Sequence, residues 1–199
     1  MHSSARPRLG GALALFAMMA LAAVLAAPAG ALTDPSTWVP TFCTETITWH
    51  TGASTGLQSL ADAASDPTAT AAQNKQAIVQ FVETGLASTK AFGAAMKRAG
   101  APKITNGVKM QAAILAGIAG TAANLAAMEK IAKALPTKSQ KIFDKAATGL
   151  SKRLSTIDAP FQKGLQKVSS LDKGSQLNDL IQSTAECAPL ITGTGSSGG

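Results

Sequence analysis

The stretch FCTETITWHTG, residues 42–52, has two readings, and the choice between them decides the fold. TETITW is rich in β-branched residues and alternates in polarity, as a strand does. Gly52 and Gly56 lower helix propensity further. Against this, Cys43, Ile47, His50, Ser54, Leu57, Ala61 and Ala64 recur at steps of three and four, which marks one face of a helix. The longer pattern predicts a helix over 43–64. The same stretch holds one of two cysteines and the only histidine beyond His2. A cysteine and a histidine this close raise three kinds of chemistry: metal, haem or nucleophile.

N-terminal to this stretch, the chain reads as an address. Arg6 and Arg8 precede the apolar run ALALFAMMALAAVLAA, and APAGA then offers small-x-small cleavage sites at Ala29 and Ala31. That is the layout of a secretory signal peptide. The run is shorter than the ~20 residues of a comfortable membrane span. The expected organisation is a signal peptide over 1–31, a leading segment over 32–42, a helical domain over 43–190 and a flexible tail over 191–199, where TGTGSSGG ends the chain. The expected location is secreted, in the extracellular space or cell envelope.

Composition agrees with helix. The chain has 199 residues, no Tyr, and only 4% aromatic residues. It carries 18 basic residues against 11 acids. The charge is segregated: 32–66 has acids and no Lys or Arg, and every basic residue after Arg8 falls within 67–174. A basic centre of this kind attracts anionic surfaces.

C-terminal to the opening stretch, four more helices are expected. Asp66 and Pro67 are good start signals for the second, which runs to about Ala99 along Ala71, Ile78, Val82, Gly85, Thr89, Phe92 and Met96, widened by Phe81 and Leu86. Gly100 and Pro102 stop it. The third begins near Thr105 or Asn106 and ends before Pro136. Its stripe is Val108, Leu115, Ile118, Ala122, Leu125, Met128, Ala132 and Leu135, and its middle is apolar almost all round, as in a central bundle helix. Gly117 and Gly120 would let a neighbour approach closely, and the small side chains could alternatively line a cavity. TKSQ, residues 137–140, fits a capping box. The fourth helix carries Phe143, Leu150, Phe161 and Val168, with a kink or restart at Pro160 and Asp158 as a fresh cap. A short fifth helix, 175–186, leads into Cys187.

Two cysteines in an exported chain are expected to pair, here Cys43 with Cys187. Helix lengths agree with that pairing. At ~1.5 Å per residue, the second and third helices are ~45–50 Å long and the first ~33 Å. Short connections make successive helices antiparallel neighbours. The fifth helix then climbs to the height where the first begins. The expected fold is all-α: an antiparallel bundle of three long helices, with a fourth lane built from the two shorter ones end to end and joined by the disulfide.

Candidate chemistry is sparse. His50 could ligate haem with Met96 or Met128 in the bundle core, or bond to Glu83 or Asn124 nearby. A multi-histidine metal site is excluded by the histidine count, and no metal is expected. No nucleophile elbow, phosphate loop or zinc-protease motif occurs, so the chain reads as non-enzymatic and without a cofactor. The sharper signal is basic. Lys138, Lys141, Lys145, Lys152, Lys163 and Lys167 share an arc of ~80° on the fourth helix, suited to anionic lipid or cell-wall polymer. Aromatic interleaving is missing, so nucleic acid is not expected as a partner.

Several landmarks occur together: FC followed by Trp49, AGAPKITNG over 99–107, ALPT over 134–137 and AECAPL over 185–190. In these the chain resembles small exported or lipid-anchored helical proteins of actinobacteria, largely uncharacterised. The resemblance covers most of the chain after the signal peptide and implies a helical fold, with no activity and no site residues. Helix faces in that family are often acidic, whereas here they carry lysine. The expected role is a secreted, non-catalytic binding or structural protein. The alternatives are a carrier of an apolar small molecule, lipid or haem in the bundle core, and a membrane-active protein using the basic fourth helix and the apolar third.

Overall fold

The structure, a computed structural model, describes residues 32–192; the expected signal peptide over 1–31 and most of the expected tail lie outside the described residues. The described chain is mostly helical, as expected, and carries one disulfide, Cys43–Cys187. Two strands of two residues each, β1 (Leu32–Thr33) and β2 (Ala101–Pro102), pair in parallel, a feature the all-α expectation lacked.

Helix α1 (Pro35–Ser65) resolves the opening ambiguity in favour of helix, but it starts eight residues before Cys43. Asp34 is its N-cap: one carboxylate oxygen accepts from both the N–H and the hydroxyl of Ser36, and Pro35 occupies the first turn. The segment expected to lead in is therefore helical from Pro35. Pro40 lies inside the helix, where only the Ser36 carbonyl loses an i→i−4 donor.

The buried face of α1 is also rotated by about one residue from the expected stripe. Trp38, Val39, Phe42, Cys43, Thr46 and Trp49 are buried, whereas His50 is exposed and Leu57 is 52% exposed. Two tryptophans and a phenylalanine have more apolar area to bury than His50 and Ser54. Beyond Trp49 no α1 residue is fully buried.

Helix α2 (Ala71–Ala99) starts later than Asp66-Pro67 suggests. Asp66 closes an Asx turn with Thr68, and the helix is capped instead by a Thr70–Gln73 capping box. Gly100 ends α2 at φ 71°, a left-handed value that glycine adopts without strain. Helix α3 (Gly107–Lys133) begins where expected, but Val108 is 62% exposed, and the buried positions centre on Met110, Ile114, Ile118 and Leu125.

The fourth helix divides into α4 (Gln140–Leu154) and α5 (Ala159–Leu171), with Asp158 at the N-cap position of α5 and Pro160 in its first turn. The Thr137–Gln140 capping box does not form. Ser139 is the N-cap, without a side-chain bond, and the Gln140 amide donates to Asp144 instead, at 2.8 Å. The fifth expected helix is shorter than predicted: α6 (Gln176–Ser183), a 3-10 turn (Ala185–Cys187) and a last turn, α7 (Ala188–Ile191).

The disulfide is thus not an end-to-end joint between two half-length helices. Cys43 lies in the third turn of a 31-residue helix, and the 3-10 turn that carries Cys187 packs beside it. Both cysteines are fully buried, with Cα atoms 5.0 Å apart.

The core has two parts. The first gathers Trp38, Phe42, Trp49, Phe92, Met96, Ile114 and Phe161 around the disulfide. The second gathers Ile78, Val82, Leu86, Leu125, Met128, Leu135, Phe143 and Leu150. Helix α3 runs through both, packing on α2 and α5. The α3–α5 seam is closed by glycine, as Gly117 and Gly120 suggest. A Cβ at Gly117 would lie 3.0 Å from Phe161 Cα, and one at Gly164 would lie 2.8 Å from the Ala113 carbonyl oxygen.

Candidate functional site

Every lysine of the proposed basic face is exposed: Lys138, Lys141, Lys145, Lys152, Lys163 and Lys167. Among the described residues none of the six pairs with a carboxylate. They do not share one continuous helix. Lys138 precedes α4, Lys141, Lys145 and Lys152 lie on α4, and Lys163 and Lys167 lie on α5, beyond the turn at 155–158. Arg153 adds a cation to α4, and Asp144, tied to Gln140, is its one carboxylate.

Helix α4 is the least embedded of the longer helices. Phe143 and Leu150 are its only buried side chains, and its sole substantial helix contact is with α3. Ile142 is 57% exposed among the lysines. A Cβ added to Gly149 would meet nothing within 4 Å, so that part of the face is open.

The only ion pairs among the described residues lie elsewhere. Lys133 Nζ is 2.8 Å from Glu83 Oε1 and 2.5 Å from Glu129 Oε1, a clamp across α2 and α3. Hydrogen bonds donated to Glu129 and then to Glu83 hold the Lys133 ammonium above its ordinary pKa. The Glu129 carboxyl is lowered, first by its hydrogen bond from Lys133. Lys133 was not part of the predicted face, and its role was legible only as a Glu-to-Lys step of four on α3.

His50 is not brought together with Met96 or Met128. It is exposed, and its ring is tilted 57° to that of Trp49, with centroids 5.0 Å apart. Met96 is buried in the first part of the core and Met128 in the second. Glu83 and Asn124, the suggested partners of His50, are used otherwise: Glu83 in the Lys133 clamp and Asn124 as donor to the Ile157 carbonyl. Among the described residues no group of three or more His, Cys, Asp or Glu side chains has a metal-holding arrangement.

The sequence reading missed the aromatic centre. Trp49, Phe92 and Phe161 form a closed trio, with centroids 5.0–5.7 Å apart. The Trp49 indole donates to Thr89, which donates in turn to the Gly85 carbonyl. The available signal was the size of these residues, since aromatics bury more area than any stripe of alanines. Two grooves were missed as well, because each is assembled from distant segments. One, of about 310 Å³, lies over Trp38, Phe42, Ile114, Val168 and Leu177, with Asp172 at its polar edge. The other, of about 560 Å³, runs between the exposed half of α1 and α2, over Gly56 and Phe81.

Helix α3 has the length and composition to cross a bilayer, but part of it is buried within the fold. The buried disulfide is compatible with an oxidising, extracellular location. Comparison with protein-family models, with curated proteins and with solved structures finds no match.

Proposed function

We propose that this is a secreted, non-catalytic binding protein of the cell envelope or extracellular space, held to an anionic surface by its lysine face. The observation that carries the reading is that all six lysines are exposed and, among the described residues, unpaired. A structural role would leave such charges balanced or scattered, whereas here α4 carries four cations against one acid. The partner is anionic lipid or an anionic wall polymer. A salt titration of binding to an anionic surface tests the reading. Binding lost towards about 1 M salt, where the screening length falls to ~3 Å, supports it. Binding indifferent to salt removes it.

The framework we propose is an antiparallel bundle. The contacts that support it run in opposite directions along neighbouring helices: Trp49 with Thr89 and Gly56 with Phe81, Gln111 with Met96 and Gly85 with Leu125, Gly164 with Ala113 and Gly120 with Pro160. The resemblance to small exported helical proteins of actinobacteria fits this framework and adds no partner.

A second reading is a carrier of an apolar small molecule. It is favoured by the groove of about 310 Å³, floored by Trp38, Phe42 and Ile114. Native mass spectrometry of protein from the producing cells decides it. A retained lipid mass that disappears when Leu177→Trp fills the groove supports the carrier. A chain of bare polypeptide mass counts against it.

A further inference from the structure

The two lysine-bearing helices differ in what surrounds the charge. On α5, Lys163 and Lys167 stand among Gln162, Gln166, Ser169 and Ser170, all exposed and polar. On α4, Ile142 stands among Lys138, Lys141 and Lys145, with 57% of its surface in water. Lys145 follows Ile142 by three positions on α4 and shares a face with it, Lys141 adjoins it, and Lys138 lies just before the N-cap Ser139. The open surface at Gly149 continues that face along the helix.

Charge alone suits any polyanion. An exposed branched aliphatic flanked by Lys141 and Lys145 suits a surface with anionic groups over an apolar layer, where the lysine stems lie along the boundary and their ammonium groups stay in the headgroup plane. A hydrated wall polymer offers the charge and no place for Ile142. The shallow seating of α4, with only Phe143 and Leu150 buried, leaves this face free to meet a flat partner.

We propose that α4 is the docking edge for an anionic lipid bilayer. Lys138, Lys141, Lys145 and Lys152 contact lipid phosphates, and Ile142 enters the interfacial apolar layer. This inference rests on the anionic-surface reading above and names its partner.

The test uses the full secreted chain, with co-sedimentation on vesicles of equimolar phosphatidylglycerol and phosphatidylcholine, on phosphatidylcholine vesicles, and with soluble dextran sulfate as the polymer control. The wild-type chain is expected on phosphatidylglycerol vesicles alone among the lipids. Ile142→Ser is expected to weaken that binding by about tenfold, leaving dextran sulfate binding unchanged. Ile142→Leu is expected to bind as wild type. The double change Lys141→Glu and Lys145→Glu is expected to weaken vesicle binding by more than about a hundredfold, with helicity by circular dichroism unchanged. If Ile142→Ser binds vesicles as tightly as wild type, or if wild type takes dextran sulfate and ignores the vesicles, the lipid inference is overturned and the anionic-surface reading stands. If the double lysine change leaves both kinds of binding intact, or if wild type binds neither, both fail.

Discussion

The two parts of the core are closed in different ways. Around Trp38, Trp49, Phe92 and Phe161, helices α1, α2, α3, α5 and α6, a strand pair and the 3-10 turn converge, and the disulfide ties the C-terminal turn to α1. Both indoles there are bonded: the Trp38 indole donates to the Gly100 carbonyl at 2.9 Å and the Trp49 indole to Thr89 at 2.9 Å. Around Leu125, Met128 and Leu135, the outer cover is α4, which contributes two buried side chains and is bounded by the 134–139 and 155–158 connections. The same chain thus has a stapled end and a lightly covered end. Local stability follows cover, because opening a segment costs only the contacts that segment makes. Lys138, Lys141, Lys145 and Lys152 lie on the lightly covered end, and Lys163 and Lys167 on α5.

The comparison can be broken at its strongest point first. Replacing Cys43 and Cys187 together by Ser should cost ~4–5 kcal/mol in the chain-entropy account of so long a loop, read as a lower urea midpoint with a slope no smaller than in the bridged chain. A loss confined to a fraction of a kcal/mol would mean that the aromatic packing, and not the staple, holds that end. Phe161→Ala comes next, at ~3–5 kcal/mol, since it removes a ring packed on both Trp49 and Phe92. Phe143→Ala in the lightly covered end should cost less, ~2–3 kcal/mol, because α4 can detach rather than hold an open cavity. Its signature is early loss of amide protection in α4 while α3 and α5 stay protected. Equal protection across all three helices would remove the distinction between the two ends.

The smallest effect concerns the Lys133 clamp, which sits on the surface of the lightly covered end. The folded Glu129 carboxyl has a lowered pKa, as do Asp34 and Asp66, each bonded to a hydroxyl and an N–H two residues on. A depressed carboxylate adds stability that is present above its unfolded pKa and lost as pH falls through the folded value. Thermal stability should therefore decline on acidification below the ordinary carboxylate range, and Lys133→Met should flatten part of that decline by lowering stability slightly at neutral pH and not in acid. An unchanged acid profile in that variant would show that the clamp contributes nothing.

Some of this was legible before any coordinates. The helical classes of α2 and α3, the stop at Gly100, the restart at Asp158 and Pro160, and the pairing of Cys43 with Cys187 follow from local chemistry and from having only two cysteines. The two Asp-Pro steps show where local chemistry ends. Asp34-Pro35-Ser36 and Asp66-Pro67-Thr68 make the same Asx bonds, yet the first opens a helix and the second only turns the chain. The difference lies downstream. Trp38 and Phe42 reward an immediate helix with burial, whereas after Pro67 the nearest stronger cap is Thr70 with Gln73.

The sequence by itself determined a helical chain with one disulfide and a lysine-rich fourth segment, because helix periods, caps and a cysteine count are written in neighbouring residues. Tertiary structure decided which face of α1 turns inward, that His50 stays outside, that Gly117 and Gly164 form a seam, and that Ile142 is left among lysines in water. Those outcomes depend on competition for buried area between residues far apart in the chain, and a stretch such as 42–52 cannot state the result of that competition alone.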